Sequence, residues 1–284
     1  MNKQENKVWF ITGASQGIGL SLTRQLLQQG QMVAATSRNV TQLQQAVGTY
    51  PQFLPLALDI TDETSVAQAI TQILEKFGRI DCVVNNAGYG LIGSLEELTD
   101  QEARQNFDVN VFGSLNIIRA ALPHLRQQAS GHIFNISSIG GMSGDFPGFG
   151  VYCATKFAVV GFTESLAMEV KDFNIKVTAV MPGYIRTNFL TAGSVVTAKN
   201  QLAEYQSTRE SQALHQEQIN GNQPGDPEKA VAAIIQAAQE ENPPLHLLLG
   251  SDALQLATDK LNALQTEFAQ WATVSQSVDF AVEA

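Results

Sequence analysis

Short apolar runs alternate with amphipathic helical segments along most of this chain. Residues 8–11 are wholly apolar, and apolar residues then recur at helical spacing from Ile18 to Leu27. Repeats of this pattern predict strands at residues 8–11, 32–36, 54–58, 80–84, 132–136, 176–181 and 245–249. Such uniformly apolar strands are typical of a parallel sheet that is covered on both sides. The sequence therefore predicts an α/β fold with a doubly wound, seven-stranded parallel sheet and helices on both faces.

The 284 residues fit one large domain spanning residues 1–284, since no linker or internal repeat precedes residue 188. Residues 188–225 are rich in Gln, Ser, Thr and Asn, and two interpretations stay open: a mobile insertion, or a lid over a substrate site. Residues 251–274 predict a C-terminal helix. Its apolar stripe indicates either core packing or a subunit contact, and consists of Leu254, Leu261, Leu264, Phe268 and Trp271.

Composition excludes several classes of function. The formal charge of −10 argues against nucleic acid or an anionic membrane as the main partner. Cys82 and Cys153 are too few for a disulfide framework, and the four histidines lack ligand spacing, so no metal site is expected. No stretch reaches the length of a membrane span or a signal-peptide core. These features predict a cytoplasmic protein without a membrane or nucleic-acid partner.

A glycine-rich turn follows the first predicted strand. Its spacing is Gly-x-x-x-Gly-x-Gly, and it opens the first helix, which is the context that dinucleotide binding requires. Glycines there permit a tight turn and close approach of a pyrophosphate, and the amides of the helix N-terminus face the phosphates. The predicted cofactor contacts in this turn are Gly13, Ser15, Gln16, Gly17, Ile18 and Gly19.

The end of the second strand predicts which dinucleotide is bound. An acidic residue at that position would select NAD, but the chain has Ser37 and Arg38. A guanidinium can hold a 2′-phosphate through two charge-assisted hydrogen bonds, so NADP is predicted in preference to NAD. After the third strand, Asp59 and Ile60 are placed to contact the adenine, although Asp59 could equally cap the following helix.

Tyr152 and Lys156 are one turn apart on a predicted helix, which places their side chains close together. An ammonium favours the phenolate and is expected to lower the pKa of the tyrosine from its usual value of about 10. The pair is therefore a candidate general acid and base.

Five motifs occur in a characteristic order: the glycine turn, Asn85-Asn86-Ala87-Gly88, Ser138, Tyr152-x-x-x-Lys156 and Pro182-Gly183. Over roughly residues 7–190 the chain thereby resembles the short-chain dehydrogenase/reductase family. The resemblance implies a Rossmann-like fold and an NADP-dependent oxidoreductase that interconverts a carbonyl compound and an alcohol. It also implies a homodimer or homotetramer.

The same resemblance implies roles for individual residues. Tyr152 exchanges the proton with the substrate oxygen, Lys156 lowers the pKa of the tyrosine and binds the nicotinamide ribose, and Ser138 holds the substrate oxygen. Asn110 corresponds to a helix asparagine that carries a water toward the lysine. Further cofactor contacts are implied at Asn86, Ala87, Gly88, Pro182, Gly183, Ile185 and Thr187.

Some assignments near the site stay open at this point. Ser137 could replace Ser138, since neighbouring strand residues point to opposite sides and only one can serve. An apolar substrate pocket is predicted, although plain packing would explain the same residues, namely Phe146, Phe149, Tyr184 and Phe189. Glu210 and His215 lie on the polar stretch and are expected to be solvated rather than to bind substrate.

Two alternatives to a carbonyl reductase or alcohol dehydrogenase are considered. A catalytically idle NADP-binding sensor is expected to lack Ser138, Tyr152 or Lys156, and all three are present. An isomerase or dehydratase should have further acid–base residues near the tyrosine, where Asp145 is the one candidate.

Overall fold

The computed structural model describes residues 6–280. The strands in chain order are Val8–Ile11 (β1), Met32–Ser37 (β2), Phe53–Ala57 (β3), Cys82–Asn85 (β4), Gly90–Ile92 (β5), Gly131–Ile136 (β6), Ile175–Pro182 (β7), Val195–Thr197 (β8) and His246–Leu249 (β9). Seven of them form one parallel sheet in the order β3-β2-β1-β4-β6-β7-β9, whereas β5 and β8 pair separately. The predicted seven-stranded parallel sheet is confirmed.

The α-helices in chain order are Gly17–Gln28 (α1), Val40–Val47 (α2), Glu63–Phe77 (α3), Asp100–Phe107 (α4), Ser114–Gln128 (α5), Gly150–Glu169 (α6), Gln206–Ala213 (α7), Pro227–Ala237 (α8) and Ser251–Gln276 (α9). All but α9, which follows β9, connect one strand to the next, and their amphipathic segments cover the apolar sheet.

Two apolar cores lie on opposite faces of the sheet. Side chains alternate along a strand, so Trp9 and Ile11 of β1 belong to one core, and Val8 and Phe10 to the other. Helices α1 and α8 cover the first face, whereas α3, α5 and α6 cover the second. This arrangement is the doubly wound architecture that the apolar strands predict.

The strand order of the sheet reverses between β1 and β4. From β1 it proceeds outward through β2 and β3, and after returning to β4 it continues through β6, β7 and β9. Open α/β sheets bind ligands outside the carboxyl ends of the strands at such a switch point. Four of the five motifs lie at the carboxyl ends of these strands, and the fifth, Tyr152-x-x-x-Lys156, lies on α6, which follows β6. The five motifs therefore meet at one edge of the sheet.

The predicted helix from Thr99 to Gln128 is interrupted. Thr99 caps its start with a reciprocal Glu102 contact, as the capping box predicts. Residues Asp108–Gly113 then form a π-helical turn that joins α4 to α5. The interruption places Asn110 in an irregular turn rather than in a regular helix.

The polar segment 188–225 contains regular structure that the sequence did not indicate. It includes β8, α7 and a second π-helical turn, Leu214–Ile219. Strand β8 pairs with β5 through Gly90, Leu91 and Ile92. This segment is therefore attached to the domain next to the motif after β4.

Core packing of the α9 stripe is contradicted. The buried residues of α9 are Ala253 and Ala257. Leu254, Leu261, Phe268 and Trp271 are 55–66% exposed, so this side of the helix does not pack against the domain. Within residues 6–280, no helix combines the length and apolarity that crossing a bilayer requires.

Candidate active site

One cavity of about 840 Å³ extends along the carboxyl edge of the sheet. Its wall includes every predicted site residue except Gly19 and Asn110. Arg38 and Asp59 lie in the wall contributed by β2 and β3, whereas Ser138, Tyr152 and Lys156 lie in the wall contributed by β6 and α6. The cavity thus joins the predicted adenosine end to the predicted catalytic end.

The glycine turn is packed too closely for larger residues. Gly13 has a φ of +66°, and a Cβ there would lie 2.7 Å from the Cα of Ala87. A Cβ on Gly19 would lie 2.5 Å from the amide nitrogen of Asn86. That Asn86 nitrogen donates to the carbonyls of Thr12 and Gly13 at 2.9 Å. Gly19 therefore packs the turn against the loop after β4, which is why it lies outside the cavity wall.

The N-terminus of α1 opens into this cavity. Gln16 precedes the helix, but its side chain does not cap it and instead donates to the hydroxyl of Ser194 at 2.7 Å. The first amides of α1 consequently lack a side-chain acceptor. An anionic phosphate group suits such a helix terminus, so the turn fits a dinucleotide.

Arg38 and Asp59 lie at the predicted adenosine end of the cavity. Arg38 is exposed and has no ion pair among residues 6–280. Asp59 accepts hydrogen bonds from the amide and hydroxyl of Thr61 at 2.9 and 2.7 Å. These bonds lower the pKa of Asp59. Asp62, not Asp59, caps α3, so capping of that helix by Asp59 is wrong.

Tyr152 and Lys156 are both buried on α6, at 8% and 6% exposure. The Lys156 nitrogen lies 5.7 Å from the centre of the tyrosine ring and donates to the Ile136 carbonyl at 2.9 Å. Burial lowers the pKa of Lys156 to about 8. Burial also raises the pKa of Tyr152, and the Ser138 hydroxyl offsets only part of that rise. The expected lowering of the tyrosine pKa is therefore wrong here, because removal from water outweighs the hydrogen bond from Ser138.

The two serines after β6 have different surroundings. The hydroxyl of Ser137 is buried and donates to the Lys156 carbonyl at 2.9 Å, which holds α6 against the strand. The Ser138 oxygen accepts from the Gly140 amide at 3.1 Å, and its proton is not used in that bond. Ser138 is consequently the serine that can donate to a ligand beside Tyr152.

Asn110 is 2% exposed and fully bonded within the π-helical turn. Its nitrogen donates to the Tyr89 carbonyl and the Thr155 hydroxyl, and its oxygen accepts from the Tyr89 amide, all at 3.0 Å. Gly88 lies between the Asn110 oxygen and the Lys156 nitrogen, since a Cβ there would be 3.0 and 3.6 Å from them. Asn110 therefore fixes the loop after β4 against α6 beside Lys156.

Aromatic and aliphatic side chains surround the phenol of Tyr152. Phe149 and Phe189 have ring centres 6.1 and 5.9 Å from the ring of Tyr152. Phe146, Tyr184 and Leu190 also line this part of the cavity. The predicted pocket residues therefore line the cavity beside the candidate catalytic groups.

Sequence reasoning missed His215 and Gln223. His215 was expected to be solvated, but it is 6% exposed because the π-helical turn after α7 directs it into the aromatic wall. Glu210 is exposed as expected. Gln223 is 1% exposed and also lines the cavity, and its amide has no hydrogen-bond partner in the described part of the chain. Neither residue belongs to a motif, so no local signal marked it.

Comparisons with known proteins decide the family. The family model described as short chain dehydrogenase matches residues 7–195. This chain belongs to the short-chain dehydrogenase/reductase family. It is 39% identical over 271 residues to oxidoreductase BOA17 of Botryotinia fuckeliana, covering 95% of this chain and 98% of that protein. It is 37% identical over 246 residues to a 3-ketodihydrosphingosine reductase of Bacteroides thetaiotaomicron, covering 86% and 88%.

Solved structures agree with this assignment. The crystal structure of a short-chain dehydrogenase from Streptomyces avermitilis superposes with a TM-score of 0.90 at 39% identity, covering 97% of this chain and all of that one. ElxO with NADP bound superposes with a TM-score of 0.72 at 30% identity, covering 88% and 99%. The protein is therefore an oxidoreductase of this family, and family members of the same fold bind nicotinamide dinucleotides.

Proposed function

We propose that the protein is an NADPH-dependent reductase that converts an apolar ketone or aldehyde into an alcohol. The observation that carries this proposal is one continuous cavity wall. It has Arg38 at one end and Ser138, Tyr152 and Lys156 at the other. A bound nicotinamide supplies the hydride for such a reduction.

The residues that would hold the cofactor suit NADP. The uncapped amides of α1 would hold the pyrophosphate, and Lys156 would bind the nicotinamide ribose. Arg38 is free to bind a 2′-phosphate through paired hydrogen bonds. ElxO, a relative of the same fold, binds NADP, which supports this preference.

The phenol of Tyr152 is the proton donor of the proposed reaction. Burial raises its pKa, so the phenol keeps its proton at neutral pH until negative charge develops on the substrate oxygen. Ser138 donates a second hydrogen bond to that oxygen and stabilises the developing charge. Lys156 carries a positive charge below its pKa of about 8 and stabilises the phenolate that remains after proton transfer. Asn110 keeps the loop after β4 in place beside Lys156.

The wall around Tyr152 favours an apolar substrate. Phe149 and Leu190 of this wall belong to a buried apolar cluster, together with Ile92 and Val195. The relative from Bacteroides thetaiotaomicron is named as a reductase of a keto compound, 3-ketodihydrosphingosine. That name supports ketone reduction as the reaction class of this chain.

Residues 188–225 are proposed to be an ordered lid over this pocket. The Glu97 carboxylate accepts from the Leu202 amide at 2.7 Å and pairs with Arg209 at 2.7 Å. Glu102 accepts from the Lys199 amide at 3.2 Å. These contacts join the segment to the domain, and Phe189 and His215 extend from it into the cavity wall.

The isomerase or dehydratase alternative receives no support from the surroundings of Tyr152. Asp145 accepts from the Ser143 hydroxyl at 2.9 Å and lies outside the wall of the main cavity. Asp145 is therefore not placed beside the phenol as a further acid–base side chain.

A panel of carbonyl compounds tests the proposal. We expect purified protein to consume NADPH, followed by its absorbance, with apolar ketones or aldehydes and to form the matching alcohols. Binding of NADPH without turnover of any carbonyl compound would contradict the proposed reaction and favour the sensor interpretation.

A further inference from the structure

His215 and Tyr184 form a polar pair within the aromatic wall of the cavity. The ring of His215 lies 4.7 Å from the ring of Phe149 and 6.4 Å from that of Phe146, measured between centres. Its Nε2 atom is 2.9 Å from the hydroxyl of Tyr184. Both residues line the same cavity as Tyr152. The direction of the hydrogen bond within this pair decides what the pair can offer to a ligand.

The surroundings of His215 determine which ring nitrogen carries the proton. Its Nδ1 atom lies 2.7 Å from the carbonyl oxygen of Ser211, which can only accept a hydrogen bond. Nδ1 must therefore carry the proton. Burial lowers the pKa of His215, which keeps the ring neutral near pH 7 and leaves Nε2 as an acceptor.

This tautomer fixes the direction of the bond to Tyr184. Because Nε2 accepts, the tyrosine hydroxyl donates its only proton to the histidine. The Tyr184 oxygen then offers only lone pairs to the cavity, and it has no other hydrogen-bond partner between residues 6 and 280. A substrate with no donor here would leave this acceptor unpaired once the cavity is closed to water.

We propose that the Tyr184 oxygen accepts a hydrogen bond from a second group of the substrate, remote from the reacting carbonyl. The substrates are thus apolar ketones or aldehydes that also carry a hydroxyl or amine, and His215 is the positioning residue that makes the site select donors. A carboxylate or ether oxygen of the substrate is disfavoured beside the Tyr184 oxygen, because both oxygens would present only lone pairs to each other. This inference rests on the proposed carbonyl reduction.

Three series of ketones test the inference. Their far ends carry a methyl, a hydroxyl or a methoxy group, and each series covers a range of chain lengths. At the best chain length, we expect the hydroxyl compound to have a kcat/KM about three- to tenfold above the methoxy compound, the range typical of one net hydrogen bond. Equal values for the two compounds at every length would overturn the inference.

Two variants separate the roles of the pair. Tyr184→Phe removes the acceptor, so we expect the hydroxyl-to-methoxy ratio to fall to about one. His215→Leu frees the Tyr184 proton to donate as well as accept, so methoxy compounds should gain and the same ratio should fall. Tyr50→Phe is the matched control, since Tyr50 packs against the core near α1 and lies outside the cavity wall. It should keep the wild-type ratio.

The outcomes distinguish this inference from the proposed function. Reduction of all three series with a ratio of one, unchanged by Tyr184→Phe, would refute the donor site and leave carbonyl reduction intact. A wild-type ratio that persists in both variants would refute the assignment to Tyr184 and His215. Failure to reduce any series, despite NADPH binding, would contradict the proposed function and the inference with it.

Discussion

Burial affects Tyr152 and Lys156 in opposite directions. Removal from water disfavours charge, so it raises the pKa of the phenol and lowers that of the ammonium to about 8. Near pH 7 both groups therefore hold their protons. The Tyr152 phenol can then donate its proton, and the Lys156 ammonium lies close to the ring on which the phenolate would form.

The depressed pKa of Lys156 makes stability depend on pH. Unfolded lysine titrates near 10.5 and the folded side chain near 8, so the unfolded state binds more protons between these values. The contribution of Lys156 to stability should therefore rise with pH from about 8 to 10.5. Relative to wild type, Lys156→Met should be more stable at pH 7, by on the order of 3 kcal/mol, and should lose this rise.

Denaturant unfolding across this pH range measures the effect. Lys76→Met, which changes an exposed lysine at the end of α3, is the control and should leave the wild-type pH dependence unchanged. Parallel pH curves for wild type and Lys156→Met would show that Lys156 is solvated in the protein.

Arg38 is the residue expected to select the cofactor. Replacing it with aspartate removes the cation that would bind the 2′-phosphate and supplies an acceptor for ribose hydroxyls. We expect Arg38→Asp to lower the ratio of kcat/KM for NADPH over NADH by at least about tenfold. Lys229→Asp makes the same charge change in the first turn of α8, outside the cavity wall, and should leave the ratio unchanged. An unaltered ratio in Arg38→Asp would remove Arg38 from cofactor selection.

Residues in motifs could be located from sequence, whereas His215 could not. Ser138, Tyr152 and Arg38 follow predicted strands or begin a helix, so the fold dictates where they lie. His215 reaches the cavity through a π-helical turn in a polar segment, and its burial depends on contacts with Phe149 and Tyr184, which are distant in sequence. Local periodicity contains no information about such contacts.

At the scale of elements, Glu97 holds the segment 188–225 on the domain. Burial would raise its pKa, but the amides of Leu202 and Ser94 and the guanidinium of Arg209 together lower it. Its side chain is 0% exposed, so these partners replace water completely. The carboxylate thus ties Arg209 of α7 and the Leu202 amide before that helix to the loop after β5.

Glu97→Gln should loosen the proposed lid before it unfolds the protein. The amide cannot serve as acceptor for all three donors, and it leaves the Arg209 charge without its partner. We expect faster hydrogen exchange at residues 199–213 and a KM raised several-fold. Glu210→Gln makes the same change at an exposed position on α7 and should affect neither quantity. Unchanged exchange in Glu97→Gln would show that other contacts hold this segment.

The elements of the sheet were predictable because each strand is uniformly apolar and each flanking helix is amphipathic. The π-helical turn at Asp108–Gly113 was not predictable, since its sequence continues the helical pattern from α4 into α5. Strands β5 and β8 were not predictable either. Each has only three residues, and the two stabilise each other only after the chain has folded.

At the scale of the whole molecule, α9 leaves an apolar stripe uncovered. Phe268 and Trp271 are 66% and 60% exposed on the part of the helix that extends beyond the domain. Beyond the buried Ala257, the stripe follows the alternating three- and four-residue spacing of a helix-pairing seam, through Leu261, Leu264, Phe268 and Trp271. The polar face of α9 has a single cation, Lys260, which does not suit an anionic membrane. A second copy of the chain is the partner that we expect.

The oligomeric state tests this expectation. Wild type should be a homodimer or homotetramer, and Trp271→Glu should lower its molar mass in solution, measured by light scattering or sedimentation. Thr273→Glu places the same charge on the opposite side of α9 and should keep the wild-type mass. A monomeric wild type would contradict pairing through this helix.

Proton transfer by the buried phenol is the step on which the proposed chemistry depends, and Tyr152→Phe isolates it. The substitution deletes one hydroxyl and keeps the ring that packs against Phe149 and Phe189. Single-turnover oxidation of bound NADPH by the best ketone of the panel should slow by about 10²–10⁴-fold, while NADPH binds with unchanged affinity. Turnover at the wild-type rate in Tyr152→Phe would contradict the account.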